Sequence, residues 1–301
     1  MKHELKYIKS QYIDKGKWDS LVSASQDSNV FCFSWYLDTF CEWDIVILDD
    51  YQGGIALPKS RKFGLRLLYQ PNFVQKCVWF GEQLDPTNLE AVHRLIRGLF
   101  SLAHFNTNLQ FGDIKERTNL ILDLTNDMST IRKNYSRSLK RNLKRCSDSL
   151  GIREGSKCSD VINLYRTVWG EFSPQLNDVD YGLLNDLVKK RPDNFVCMTV
   201  YKDNECLAGA LLVKGKNRLH YILGANSAAG KKENALSLLL DAVLNKHSSS
   251  HFIFDFEGSS IPSVKSFYET FGAVNEPFYE LEINTGIAYS LKKAYNRLAK
   301  S

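Results

Sequence analysis

Two segments of the chain carry side chains that could move a proton. The run Phe254-Asp255-Phe256-Glu257-Gly258-Ser259-Ser260 ends an apolar strand in a carboxylate and then turns small and polar. In open α/β sheets, ligands sit beyond the carboxyl ends of strands. Glu257 therefore stands where a carboxylate can accept a proton from an attacking amine. Asp255, inside the strand, reads as structural. Ser259 and Ser260 are candidate substrate contacts. A helix over 263–271 follows, with Pro262 at its start and Gly272 as its C-cap. Tyr268 in that helix offers a phenol to a leaving group, while Phe267 and Phe271 read as its core face.

The second segment is Gly224-Ala225-Asn226-Ser227-Ala228-Ala229-Gly230-Lys231-Lys232, which leaves a strand and enters an apolar helix over 233–246. Small residues let backbone N–H groups approach an anion, and a helix N-terminus favours negative charge. The spacing excludes a P-loop, because five residues separate Gly224 from Gly230 and Lys232 stands where Ser or Thr is required. A pyrophosphate cradle and an ordinary surface loop both remain open.

The elements that must position these groups are legible mainly in the second half. Apolar residues at helical spacing predict helices over 129–146, 159–171 and 181–190. Three strands follow at 195–201, 206–214 and 218–225, joined by Asp203-Asn204 and Gly215-Lys216-Asn217, an antiparallel meander. Further strands fall at 251–257 and 278–283, and an amphipathic helix at 287–300. The first half is less regular. It predicts a short helix over 17–23, an aromatic-rich stretch over 31–41, and strands at 44–49, 53–59, 66–69 and 77–80. A helix at 88–105 and strands at 108–111 and 119–124 complete it. Trp35, Tyr36, Trp43 and Trp79 read mostly as core, with an acceptor groove as the alternative. No internal repeat is visible.

With 301 residues, 44% hydrophobic and 24% charged, the chain reads as globular and of a length for two domains. Its net charge of +5 is smaller than the seven basic residues between Arg132 and Arg145, so the excess is one cationic helix on a near-neutral globule. Arg137, Lys140 and Arg141 are candidate anion contacts there, and a solvated face is the plain alternative. The segment MKHELKYIKS lacks the apolar core of a signal peptide, and no stretch approaches the ~20 apolar residues of a membrane span. Stable membrane insertion is not expected. Seven scattered cysteines, without a CxxC or HExxH pair, point to a reducing cytoplasm and against a metal site. The six histidines read as surface or packing residues, with His220 an outside candidate for a base.

Strand, small-residue loop, apolar helix, strand, then Phe267-Tyr268-Glu269-x-Phe271-Gly272 resembles the GNAT (GCN5-related N-acetyltransferase) fold. Tyr221-Ile222-Leu223-Gly224-Ala225, Asp255-Phe256-Glu257-Gly258-Ser259 and the basic run Tyr135–Arg145 resemble its FemAB-like branch. The likeness is good over 118–282 and weak over the first 110 residues. It implies a mixed α/β chain of two tandem GNAT-like domains, each a mainly antiparallel sheet flanked by helices, the first degenerate. The implied boundaries are 1–115 and 116–301, with the 287–300 helix packing back on the first domain.

The resemblance also implies a site. The strands 218–225 and 251–257 would splay around acetyl-CoA or another acyl-CoA donor. The backbone edge of Tyr221, Ile222 and Leu223, with Gly224 and Ala225, would hold the pantetheine arm. The loop from Asn226 through Ala229 and Gly230 to Lys231 and Lys232 would hold the pyrophosphate. Tyr268 would protonate the departing thiolate, and Glu257 would be base or substrate anchor. The usual Gln/Arg-x-x-Gly-x-Gly/Ala signature is absent; only Gly230 remains of it. The implied function is acyl transfer to a small-molecule or peptide amine. The FemAB-like likeness implies an alternative, an aminoacyl-tRNA-dependent transferase acting on peptidoglycan precursors. The degenerate loop leaves a third, a non-catalytic binding module.

Overall fold

A computed structural model describes residues 3–26, 29–62, 64–112, 114–155, 157–258 and 261–284. The chain divides into two units, Met1–Arg117 with Phe278–Ser301, and Thr118–Pro277. The first contains β1 (Leu5–Ile8), α1 (Lys15–Ala24), α2 (Ser34–Phe40), β2 (Glu42–Leu48), β3 (Gly53–Lys62), β4 (Leu65–Tyr69), β5 (Phe80–Gly81), α3 (Pro86–Leu99), β6 (Leu102–Thr107) and β7 (Ile114–Arg117). Its sheet runs β1-β2-β3-β4-β6, then the strand Phe278–Asn284, then β7, with β5 beside β3. Among the described residues of this sheet, only β4 and β6 pair in parallel.

The second unit contains β8 (Leu120–Asp123), α4 (Met128–Lys133), α5 (Arg137–Lys144), β9 (Gly151–Glu154), α6 (Cys158–Trp169), α7 (Asp178–Lys190), β10 (Phe195–Lys202), β11 (Glu205–Lys214), β12 (Arg218–Asn226), α8 (Ala228–Lys232), α9 (Ala235–His247), β13 (Ile253–Asp255), α10 (Pro262–Glu269) and β14 (Val274–Asn275). Its sheet runs β14-β8-β13-β12-β11-β10-β9, and among the described residues only β12 and β13 are parallel. The mixed α/β class expected from the sequence is borne out. The predicted meander is β10-β11-β12, antiparallel throughout. Helix α9 buries Leu239, Leu240, Val243 and Leu244 in the core beside β11. Its one buried acid, Asp241, is held by the Arg132 guanidinium at 2.5 and 3.0 Å. A buried charge needs such a partner.

Four expectations are corrected. The helix predicted over 129–146 is two helices, α4 and α5. Ser136 interrupts it: its Oγ accepts from Leu139 N and caps α5, while its N–H goes to the Thr270 carbonyl. A serine in mid-run offers the backbone this alternative to the helix ladder. The helix predicted over 88–105 stops at Leu99, where Phe100 turns extended. Leu102–Thr107 then alternates, burying Ala103, Phe105 and Thr107, which is strand periodicity. The strand expected at 108–111 therefore lies earlier. At 77–80 only Phe80 joins a ladder.

The fourth concerns the second domain, expected to run over 116–301. The strand Phe278–Asn284 pairs instead with β6 and β7, in the first unit's sheet. Backbone pairing, rather than position in the chain, decides membership. The helix expected over 287–300 lies outside the described residues. The seven cysteines are all free. Among the described residues no helix is long and apolar enough to cross a membrane.

Candidate active site

β12 and β13 pair only over Arg218–Ile253, Leu219–Phe254 and His220–Asp255. Beyond that point, among the described residues, β12 continues to Asn226 paired with β11 alone. A register shift inserts Ile222 as an extra residue between Tyr221 and Leu223, which face Leu212 and Leu211. A bulge of this kind bends a strand and re-aims its side chains. It brings Tyr221 and Gly224 to the same face. A Cβ on Gly224 would fall inside the Tyr221 phenol, so that position has room for glycine alone.

The carboxyl end of β13 is held by Asp255, fully buried. Its Oδ2 accepts from Arg218 at 2.8 Å and from Asn119 Nδ2 at 3.2 Å, and its Oδ1 accepts from the Glu257 N–H at 2.9 Å. Arg218 is braced in turn by Glu276 at 2.7 and 3.0 Å. This network fixes a left-handed turn: Glu257 has φ +64° and Gly258 φ +68°. A glutamate in that conformation is strained, and such strain persists only where the surroundings impose it. A Cβ on Gly258 would collide with the Thr118 carbonyl.

The turn points the Glu257 carboxylate at His220. Oε1 and Nδ1 share a hydrogen bond of 2.5 Å, with His220 fully buried and the Glu257 side chain 15% exposed. With Glu257 ionised, Nδ1–H is the donor. Sequence reasoning held His220 as an outside candidate for a base and missed its pairing with Glu257. No sequence signal shows it, because α9 lies between the two strands and parallel register is set only by folding. The ligand-type atoms of His220, Asp255 and Glu257 lie within 4.8 Å of one another, a spacing suited to a cation. Arg218 already takes up the Asp255 charge. The cluster is therefore built as a hydrogen-bonded acid–base group.

Around Glu257 opens a cleft of about 450 Å³. Tyr268 lines it, stacked on Phe256 at 4.6 Å and edge-on to Tyr221 at 6.2 Å. Burial first, then Tyr165 and the Glu257 charge, push the Tyr268 phenol above its usual range. Burial does the same to Tyr221. Tyr221, Ile222, Gly224, Asn226 and Lys231 also line the cleft, whereas Leu223, Ala225, Ala229, Gly230 and Lys232 do not. The supposed phosphate loop is largely a short helix, α8: Ser227 Oγ caps it by accepting from Gly230 N at 3.0 Å. Gly230 is packed against Asn226 Oδ1 and the Leu207 carbonyl. Arg137, Lys140 and Arg141 are exposed on α5 and do not line this cleft. Ser259 and Ser260 lie outside the described residues.

Residues 131–256 match the family model described as an acetyltransferase (GNAT) domain. Within the second unit these residues thus carry a GNAT domain, and the tandem fold expected for the chain is borne out by its structural relatives. The chain resembles FemX, with a TM-score of 0.60 at 10% identity over 93% of this chain and 97% of that one. A conserved protein of unknown function from Bacteroides thetaiotaomicron gives 0.58 at 9% identity, covering 93% and 99%. A tandem GNAT protein from the clavulanic acid biosynthesis pathway gives 0.50 at 11% identity, covering 93% and 98%. No curated protein matches the sequence.

Proposed function

We propose that the second unit transfers an acyl group from an acyl-CoA thioester to an amine. The observation that carries this reading is the Glu257–His220 pair at the point where β12 and β13 part, inside a cleft that Tyr268 also lines. The donor's pantetheine arm lies along the bare edge of Tyr221–Leu223, with its phosphates toward Lys231. The amine nitrogen attacks the thioester carbonyl, the C–N bond forms and the C–S bond breaks. The proton released by the nitrogen passes to Glu257, whose charge His220 steadies. The sulfur departs as thiolate.

The phenol's raised pKa modifies the role expected of Tyr268. A phenol above ~10 holds its proton against a thiolate of ~8.5, so it donates a hydrogen bond to the departing sulfur and solvent completes the protonation. Acyl-CoA is the general donor of this superfamily, and this chain's departure is the missing phosphate signature. Calorimetry with a panel of acyl-CoAs tests the reading: binding is expected, and no heat from any member would overturn it.

A second donor has one observation in its favour. Arg137, Lys140 and Arg141 lie exposed on α5, a helix without an acid, as a contact for tRNA phosphates. Aminoacyl-tRNA would supply an ester in place of the thioester. Its binding would then weaken steeply with salt, and the triple Ala variant would flatten that dependence. Unchanged tRNA binding in that variant would remove this reading.

A further inference from the structure

The walls of the same cleft carry a statement about the amine. Glu257 and Lys231 are the only charged side chains lining it among the described residues. One wall comes from Tyr165 and Trp169, spaced four apart on α6, and from Phe172 just beyond. Another comes from Ile261, which caps α10, and from Val264 and Phe267 on that helix. Phe172 is 70% exposed and Ile261 45%, unusual for large apolar residues. Trp169 and Phe172 meet edge to face at 6.0 Å, so the wall is ordered aromatic surface. Exposed apolar surface that converges on a reactive group marks a place where something apolar binds.

We propose that the acceptor is an amine carried on an apolar body, its nitrogen at Glu257 and its body against Trp169 and Phe172. This rests on the acyl-transfer reading and deepens it. Charge complementarity selects the occupant. One carboxylate matches one ammonium. A polyamine would bring further ammonium groups against aromatic walls, and an amino sugar would set its hydroxyls against the rings of Trp169 and Phe172. Each buried polar group left unpaired costs binding. A phosphate-bearing acceptor would meet the Glu257 carboxylate.

The test is calorimetric binding of phenylethylamine, hexylamine, spermidine and glucosamine to the full chain, with and without acetyl-CoA. An aromatic dipeptide amide is included to distinguish a peptide N-terminus from a free small amine. The variants are Trp169→Ala and, because Trp169 is half-buried, the exposed Phe172→Ser. Apolar amines are expected to bind at least tenfold tighter than spermidine or glucosamine. Each variant is expected to erase most of that margin and leave the acetyl-CoA Kd unchanged. Equal affinity for all amines, or a preference that both variants retain, would overturn the proposal. Apolar-amine binding as expected, with no acetyl-CoA binding, would remove the donor reading and leave this subsite standing.

Discussion

The two units share one strand path and differ at its centre. Among the described residues each sheet has a single parallel pair, β4 with β6 in the first and β12 with β13 in the second. In the second, the pair parts after His220 and Asp255, and the gap leads into the cleft with Glu257. In the first, the chain leaving β4 turns back into the corresponding gap. Gln70 Oε1 accepts from Asn106 N at 2.8 Å, Cys77 N donates to the Asn106 carbonyl at 2.9 Å, and Asn106 Nδ2 reaches the Gln75 carbonyl at 2.7 Å. Tyr36 holds this segment down by donating to the Phe73 carbonyl at 2.8 Å. The same topology therefore yields an open gap or a sealed one, according to whether a neighbouring segment satisfies the strand edge. Unmet backbone groups at such an edge are what a donor's amides can use.

The largest expected effect separates the two gaps by chemistry. Glu257→Gln keeps the shape of the side chain and removes its basicity. Steady-state thiol release should fall by about 100-fold or more, the usual scale for a positioned base. Thermal stability should change little beside that loss. A variant with undiminished turnover would remove Glu257 from the chemistry and leave the open gap without its defining group.

Next is the shape of the open gap. Gly224→Ala places a methyl inside the Tyr221 ring, and overpacking of this kind costs about 1–3 kcal/mol. Denaturant unfolding should show that loss. In a Tyr221→Ala background the same change should cost almost nothing, since the clashing ring is gone. Additive losses would mean that the bulge at Ile222 does not set this geometry.

The sealed gap should respond in the opposite sense. Asn106→Ala removes one hydrogen bond from the segment that fills it, and the expected loss is about 1 kcal/mol of stability. Donor binding and turnover should stay as in the unaltered chain. A variant that lost turnover as Glu257→Gln does would show that the first unit's gap also serves the reaction.

How much of this was visible in the sequence follows the same line. The β10–β12 meander was legible because turn residues mark both hairpins, and α9 because its apolar run is long. Glu257 was legible as a carboxylate at a strand's end. His220 was not, since its partner is reached only through parallel pairing across a helix. The likeness of the two sheets left no internal repeat and was reached only through the family resemblance: topology follows from apolar periodicity, which different residues satisfy equally. The strand Phe278–Asn284 read correctly as a strand, but nothing local to it tells which sheet it completes.

The smallest effect concerns alkaline stability, where each unit has its own phenols. Tyr221 and Tyr268 are raised in the second unit, chiefly by burial. Tyr7 in the first is pushed up to about 12 by burial and by its hydrogen bond to Asp44. Below pH ~10, the ordinary phenol value, all three are protonated in folded and unfolded chains alike and add no slope. Above it, the unfolded chain releases these protons while the folded chain keeps them. The unfolded state then binds fewer protons, so stability falls as pH rises toward the folded values. The difference in unfolding midpoint between wild type and a variant lacking one of these phenols should therefore be flat from about pH 7 to 9 and change beyond ~10. Tyr268→Phe should soften the decline through the second unit, and Tyr7→Phe through the first. Lysines and cysteines titrate in the same range, but they are common to all three chains and cancel in the difference. An identical decline in wild type and both variants would show that buried phenols are not its source in either unit.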